Sequence, residues 1–242
     1  MDTAQAKQQI TSSLFFSGLP EKDISDFLLE SACRNYAKHE EIIRHGQKAD
    51  RLFIVASGWI KLYRQAKTGD EAVMHMCTKG DVFGEAAVMA KGSYSFSAQA
   101  AEKASVIEIP SSFIHEKIKE NPAIMERMLK TMSREMQQIQ SENEHLSLMS
   151  ASQRVGCLLL QLSSGMIGKG GTFPFPYDKA LAASRLGMKP ETFSRALAQL
   201  KPIDVQVSGP EIKIGNFEKL MEYCCHQCSS MPGECQRQDK SG

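Results

Sequence analysis

The chain has no apolar run near the ~18 residues that a membrane-crossing helix requires. Its Met1–Phe16 stretch shows no charged n-region leading into an apolar h-region. Neither a membrane span nor a secretory leader is expected, and the cytoplasm is the default compartment. A P-loop, a metal-hydrolase helix and a nucleophile elbow are equally absent, so nothing points to an enzyme. Net charge is also scarce, at +1 overall. What is present is 242 residues, enough for two domains, with hydrophobic content of 42% and charged content of 24%, ordinary for globular proteins.

The small net charge conceals an asymmetry. Residues 151–215 hold eight Lys/Arg against four Asp/Glu, whereas residues 1–150 hold 18 against 20. The basic excess falls on the segment DKALAASRLGMKPETFSRALAQL, Asp178 to Leu200, which reads as two short helices joined at a glycine. Asp178 suits an N-cap, and Leu181, Ala182 and Leu186 face the partner helix. Gly187 supplies the sharp turn, and Pro190 fits the first position of the second helix. Phe193, Leu197 and Leu200 form a buried stripe at 4 and 3 spacing, which turns Glu191, Ser194 and Arg195 outward. A guanidinium can pair with guanine O6 and N7, a carboxylate can accept from cytosine N4, and a serine can bond either way or touch a thymine methyl. Glu191, Thr192, Ser194, Arg195, Lys189 and Arg185 are therefore candidate contacts to double-stranded DNA. The competing reading makes Glu191 and Arg195 a surface ion pair at i, i+4.

Upstream, LFFSGLPEKDISDFLLESA has helical spacing at Leu14, Leu19, Ile24, Phe27 and Leu28. From Tyr36 to Pro110 short β-prone runs (RLFIVA, WIKLYR, AVMHMC, ASVIEI) alternate with turn signals. Gly46, Gly58, Gly69 and Gly80 recur at 11- or 12-residue spacing, which suggests a small antiparallel roll. Asn121-Pro122 opens a helix of roughly 40 Å at 1.5 Å per residue, with no breaker before Gly156. Along it Leu129, Met132, Met136, Ile139, Asn143 and Leu146 alternate 3 and 4 apart, a heptad seam for a second copy of the chain or a stripe packed on its own domain. Val155 to Leu162 is a further apolar helix, SSGMIGKGGTFPFP a loop, and VQVSGPEIKI a hairpin turning near Gly209-Pro210. The expected domains are a sensory roll with N-terminal helices at 1–120, a dimerisation helix at 121–150, a winged helix-turn-helix at 151–215 and a cysteine-rich tail at 216–242.

The ordered combination resembles the CRP/FNR superfamily of bacterial transcription regulators over about Leu14 to Ile214. The likeness rests on the glycine-spaced roll, GDVFGEA at Gly80–Ala86, SFSAQAAE ending at Glu102, the long helix, and LGMKPETFSR at Leu186–Arg195. It implies an α+β fold: an N-terminal antiparallel β-roll like cyclic-nucleotide-binding domains, a dimerisation helix and a C-terminal winged helix-turn-helix. It also implies a homodimer on two-fold DNA sites. Glu191, Ser194 and Arg195 match the FNR-type reading motif, implying half-sites like TTGAT. The turn KTGDE, with Gly69 and Asp70, is similar to a loop that touches RNA polymerase in FNR-type activators, and reads equally as a solvated hairpin turn.

The chain departs from its relatives where effectors bind. Cyclic-nucleotide binders follow Gly-Glu with an Arg-Ser pair that holds the phosphate. Here Ser95 and Phe96 fall at that spacing after Gly84-Glu85, and no arginine occurs between Arg64 and Arg127. The missing cation argues against cyclic AMP. Relatives with an N-terminal iron–sulfur cluster carry cysteines before the roll, where this chain has only Cys33, and a later ligand whose place is taken by Ile107. That excludes an N-terminal cluster. Instead YCCHQCSSMPGEC gathers Cys224, Cys225, Cys228 and Cys235 near the C-terminus. Cys225-x-x-Cys228 has chelate spacing, and Cys235 lies beyond a Pro-Gly turn. Cys224 adjoins Cys225 and points elsewhere on a regular element, yet it remains, with His226 or a carboxylate, a candidate fourth ligand. An iron–sulfur cluster, zinc, thiol–disulfide sensing and an unliganded tail all stay open. So does haem, with His45, His75, His115, His145, Met76 and Cys77 as available axial ligands.

Overall fold

The computed structural model describes residues 11, 13, 15–69, 71–163, 170–175, 179–208 and 211–225. They form two compact units, Met1–Gln137 and Gln138–Gly242.

In the first unit, α1 (Glu21–Glu30) follows Pro20, carries Glu21 and Asp23 in its first turn, and buries Ile24 and Phe27. Early acidic residues suit the positive end of the helix dipole. The helix is shorter than the apolar spacing predicts, because Phe15–Gly18 forms a turn and Pro20 precedes its first residue; Leu14 lies outside the described residues. Two antiparallel sheets follow. One has the order β1 (Ala32–Tyr36), β8 (Ala104–Pro110), β3 (Arg51–Ser57), β6 (Val82–Phe83). The other runs β2 (Glu41–Ile43), β7 (Ser97–Ala100), β4 (Ile60–Gln65), β5 (Glu71–Cys77). Central β3 is buried from Leu52 to Ala56, whereas edge strand β1 buries only Tyr36. Gly46, Gly58, Gly69 and Gly80 all adopt positive φ at the turns their spacing predicts.

The short helix α2 (Glu85–Met89) and α3 (Ser111–Glu120) complete the roll. Phe16, Phe27 and Phe113 stack edge to face at 4.7 and 5.1 Å, joining the N-terminal segment, α1 and α3. Lys117 on α3 bonds Asp26 at 2.7 Å and Glu120 at 2.8 Å. Within the first sheet the buried Glu108 carboxylate accepts from Tyr36 Oη at 2.5 Å and Arg51 Nη1 at 2.9 Å. Burial, then the Glu108 carboxylate, pushes the Tyr36 phenol well above its ordinary range. A buried carboxylate is tolerable only with such partners.

The long helix α4 (Ala123–Leu148) begins in the first unit and ends in the second. Its 26 residues span about 39 Å. It stops well before Gly156. Ser150 caps the next helix, α5 (Ala151–Leu162), in a reciprocal box with Gln153. Gly156 thus lies inside α5 and breaks nothing.

The second unit is built on α5, whose Val155–Leu160 run is buried. Against it pack α7 (Pro190–Ala198) and α8 (Phe217–Cys225). The wing is real: β10 (Val205–Ser208) pairs with β11 (Glu211–Ile214). Their turn, Gly209-Pro210, lies outside the described residues. The segment expected to be all loop contains β9 (Gly171–Pro174), which adds a third strand through Phe173 opposite Ile212. The cysteine-rich tail also begins differently than expected, as α8.

Candidate nucleic-acid interface

The first helix of the pair, α6 (Lys179–Arg185), buries Ala182 and Ala183, while Leu181 and Leu186 are half-buried. Asp178 lies outside the described residues. Gly187 takes φ +61°, a left-handed backbone that L side chains resist, and turns the chain toward α7. Pro190 occupies the first turn of α7, as its missing N–H allows.

Phe193, Ala196 and Leu197 on α7 and Leu200 just beyond it are buried. Phe175 stacks on Phe193 at 6.1 Å. Fixing that stripe leaves Lys189, Glu191, Thr192, Ser194 and Arg195 exposed. A carboxylate, two hydroxyls, a guanidinium and an ammonium thus share the outer surface of a short, firmly seated helix. That set can accept from and donate to base edges and phosphates.

Arg185 does not join them. Its side chain is only 12% exposed, and Nη2 lies 3.8 Å from Glu142 Oε1 on α4. The sequence placed it among the DNA contacts because a basic residue ends α6; the structure holds it against α4. Sequence reading also passed over Arg154, which donates from Nη1 to the Leu186 carbonyl at 2.9 Å. Its signal was the S-x-x-Q box at Ser150–Gln153, which fixes the first turn of α5.

On α4 the heptad residues Leu129, Met136, Ile139 and Leu146 are 57, 60, 52 and 51% exposed. Asn143 is exposed and Met132 half-buried. The residues that α4 buries instead are Ile124, Met128 and His145, so among the described residues its apolar seam stays exposed. In the β4–β5 turn, Gly69 takes φ +92°. Asp70 lies outside the described residues.

Cys224 is fully buried, and a β-carbon on Gly156 would fall 2.3 Å from its sulfur. It faces α5, so it does not suit a cluster with its neighbours, a correction to its candidacy as a ligand. The side chain of Cys225, and Cys228 and Cys235 altogether, lie outside the described residues. Among the described residues, no group of three or more His, Cys, Asp or Glu is placed to hold a metal ion.

The candidate haem ligands are dispersed. His115 Nε2 lies 3.1 Å from the Val88 carbonyl, His75 sits on β5, and His45 is exposed. Met76 and Cys77 are buried in the roll. His145 belongs to the second unit, with Nδ1 4.0 Å from Cys157 Sγ. Burial holds its imidazole below its ordinary value. At the GDVFGEA turn, Gly84 adopts φ +90°, and a β-carbon there would lie 3.2 Å from the Tyr94 ring. Tyr94 Oη donates to the Arg51 carbonyl at 2.6 Å and accepts from the Arg51 amide at 3.1 Å. Burial foremost raises that phenol to about 12. Phe53 stacks on Phe83 at 5.0 Å and lies 6.1 Å from Tyr94. Aromatic rings therefore pack against this turn.

Among the described residues, no helix is long and apolar enough to cross a membrane. The family model of the cyclic nucleotide-binding domain matches residues 33–121, and that of the Crp-like helix-turn-helix domain matches 153–223. The chain is 30% identical over 189 residues to the anaerobic regulatory protein of Aggregatibacter actinomycetemcomitans, covering 76% of this chain and 73% of that protein. It is 29% identical over 189 residues to the fumarate and nitrate reduction regulatory protein of Vibrio cholerae, covering 76% and 75%. Among solved structures, FixK2 from Bradyrhizobium japonicum superposes with a TM-score of 0.72 at 23% identity, covering 79% of this chain and 96% of that one, a likeness of fold alone. With both modules matched in order and a 30% identical relative covered over 73% of its length, the chain belongs to the CRP/FNR family of DNA-binding transcription regulators, which are not enzymes.

Proposed function

We propose that a homodimer of this chain reads TTGAT-type half-sites through α7 and responds to a redox or gas signal such as oxygen or nitric oxide. The observation that carries the reading head is the joint exposure of Glu191, Ser194 and Arg195 over a buried Phe193–Ala196–Leu197 stripe. Arg195 pairs with guanine O6 and N7, Glu191 accepts from the cytosine opposite, and Ser194 meets a thymine. Lys189 and Thr192, at the same end, serve phosphate or base. The exposed α4 stripe is the seam for the second copy, and places two α7 helices about 34 Å apart on one face of the duplex. Gly69 and Asp70 mark the RNA polymerase contact. The compartment is the cytoplasm, and the domains run 1–120, 121–150 and 151–215. The cysteine-rich tail is 216–242, and it opens with α8, whose inward face carries Cys224.

Similarity to proteins named as anaerobic and fumarate–nitrate regulators supports the redox reading. Of the tail cysteines, Cys225, Cys228 and Cys235 remain to hold an iron–sulfur cluster, with His226 or a carboxylate as fourth ligand. Such a cluster supplies redox and gas reactivity; the chain supplies the thiolates. Zinc on the same thiolates is the second reading, favoured by the adjacent His226. Haem has weaker support, since its candidate ligands are dispersed. The arginine-free span from 65 to 126, and the Tyr94 ring against Gly84, weigh against cyclic AMP.

The test is a titration of the wild-type protein, prepared with and without air, against a palindrome of TTGAT half-sites and a scrambled duplex. Selective binding is expected, and Arg195→Ala should lose about 1–3 kcal/mol with a relaxed guanine preference. Equal binding to both duplexes removes the sequence-reading claim. Anaerobic protein should be brown and lose its visible band in Cys228→Ser; colourless protein with stoichiometric zinc selects the second reading.

A further inference from the structure

Arg185, the last residue of α6, and Leu186, the first of the turn to α7, are held from outside the helix pair, and Leu146 stands near Gly187 beside them. Arg185, largely buried, faces Glu142 at 3.8 Å. The Leu186 carbonyl accepts from Arg154 at 2.9 Å. A β-carbon on Gly187 would lie 3.5 Å from Leu146 Cδ2. Glu142 and Leu146 stand four residues apart, so they share one face of α4. The last two turns of the long helix therefore grip the hinge from which the reading helix departs.

We infer that Arg185 is a positioning residue for DNA reading, acting through its ion pair with Glu142, and does not itself touch DNA. The inference rests on the reading of α7 proposed above. Leverage is the physical reason. The Arg195 backbone lies about 12 Å along the chain direction of α7 from Gly187, at 1.5 Å per residue. A tilt of about 5° at the hinge then moves it by about 1 Å, which is enough to spoil a paired hydrogen bond. An exposed ion pair would be too weak to matter, but a guanidinium mostly out of water is screened less. Leu146 also lies on the exposed stripe of α4, so whatever packs on that stripe bears on the same turn.

The test uses the full chain and the variants Glu142→Gln, Arg185→Met, their double, and the exchange Glu142→Arg with Arg185→Glu. Each single change should weaken operator binding about threefold to fivefold, the double no further, and the exchange should recover most of the loss. The slope of affinity against salt and the guanine preference should stay as in the wild type. Without DNA, amide exchange at Leu186, Gly187 and Met188 should quicken in both singles and slow again in the exchanged pair, with β3 as internal reference. If Arg185→Met alone weakens binding and lowers the salt slope by about one, Arg185 touches phosphate and the inference fails. It fails too if Glu142→Gln leaves exchange at the turn unchanged. A wild type that ignores the operator removes the reading head, and the exchange measurement then decides the strut alone.

Discussion

Gly156→Ala should destabilise the second unit, although alanine is the better helix former. In an open helix interior the change gains about 1 kcal/mol. Here the new methyl would stand 2.3 Å from Cys224 Sγ and 3.1 Å from Leu220 Cδ1. Comfortable contacts are about 3.5–4.0 Å, so the sulfur must retreat by more than about 1 Å. It has nowhere to go, since Cys224, Leu220 and Leu200 are all fully buried. Overpacking costs about 1–3 kcal/mol, and so large a displacement against fully buried neighbours puts it at about 2–3 kcal/mol, which outweighs the propensity gain and leaves a net loss of about 1–2 kcal/mol. For a unit near 100 residues that is about 5–10 °C in melting midpoint. Cys224→Ala alone opens a small void and also destabilises, by about 1 kcal/mol. Combined, the two substitutions share one space, so the double variant should melt above Gly156→Ala alone. Helical circular dichroism reports both units and fluorescence of Trp59, the only tryptophan, reports the roll, so the helical transition without a fluorescence counterpart is that of the second unit. An unchanged or raised midpoint in Gly156→Ala would show that α8 does not pack on α5, and would return Cys224 to the candidate ligands.

Ile139→Lys places a charge in the exposed α4 stripe, and where the wild type sediments as the proposed dimer the variant should sediment as a monomer; a variant that stays dimeric puts the interface elsewhere. Cyclic AMP should give no saturable heat in titration calorimetry, and saturable binding would overturn the argument from the arginine-free span. His145 links stability to pH. Burial lowers its native pKa below the ordinary 6.5, so the unfolded chain binds the proton first. Stability is therefore complete above about pH 6.5 and falls as pH drops toward the native value. His145→Leu should flatten that limb of urea midpoint against pH, and a limb that persists assigns it to other groups.

What the sequence makes legible follows from local physics. The stripe Phe193–Leu197–Leu200 and the outward trio of α7 follow from helical period and Pro190, with no information from elsewhere in the chain. The strands β3, β4, β5 and β8 declare themselves because their apolar runs exceed what loops carry. The edge strands β1 and β2 do not. β1 reads ACRNY and β2 reads EII, polar enough to pass for connections, because an edge has little to bury. β9 reads GTFP, a breaker-rich run whose strand character comes from pairing with β11. Gly156 looked like a stop because its reason for being glycine, the Cys224 sulfur, lies 68 residues further along. Cys224 reads as a ligand because composition groups it with its neighbours, whereas it is buried on the face of α8 that meets Gly156. Arg185 reads as a DNA contact from its place in the helix pair, whereas its guanidinium lies 3.8 Å from Glu142.

Those long-range contacts also constrain how a signal in the tail must act. Tyr223, two residues before Cys225, exchanges a hydrogen bond with Ser152 at 2.8 Å, and its carbonyl accepts from Gln153 at 3.3 Å. The next residue on α5, Arg154, holds the Leu186 carbonyl ahead of α7. The end of α8, the first turn of α5 and the reading turn are thus joined by a short run of hydrogen bonds within one unit. Adjacency alone is not coupling, which is a free energy and is reciprocal. A group bound by Cys225, Cys228 and Cys235 that raises operator affinity tenfold must itself be held tenfold more tightly on the operator, about 1.4 kcal/mol. The dissociation constant of the group should therefore fall about tenfold on operator DNA and not on a scrambled duplex. Ser152→Ala, which removes a link in the run without touching a thiolate, should shrink the difference. If the group is held equally tightly on either duplex, the tail is no sensor for α7, and the signal must enter through the roll or the seam of α4.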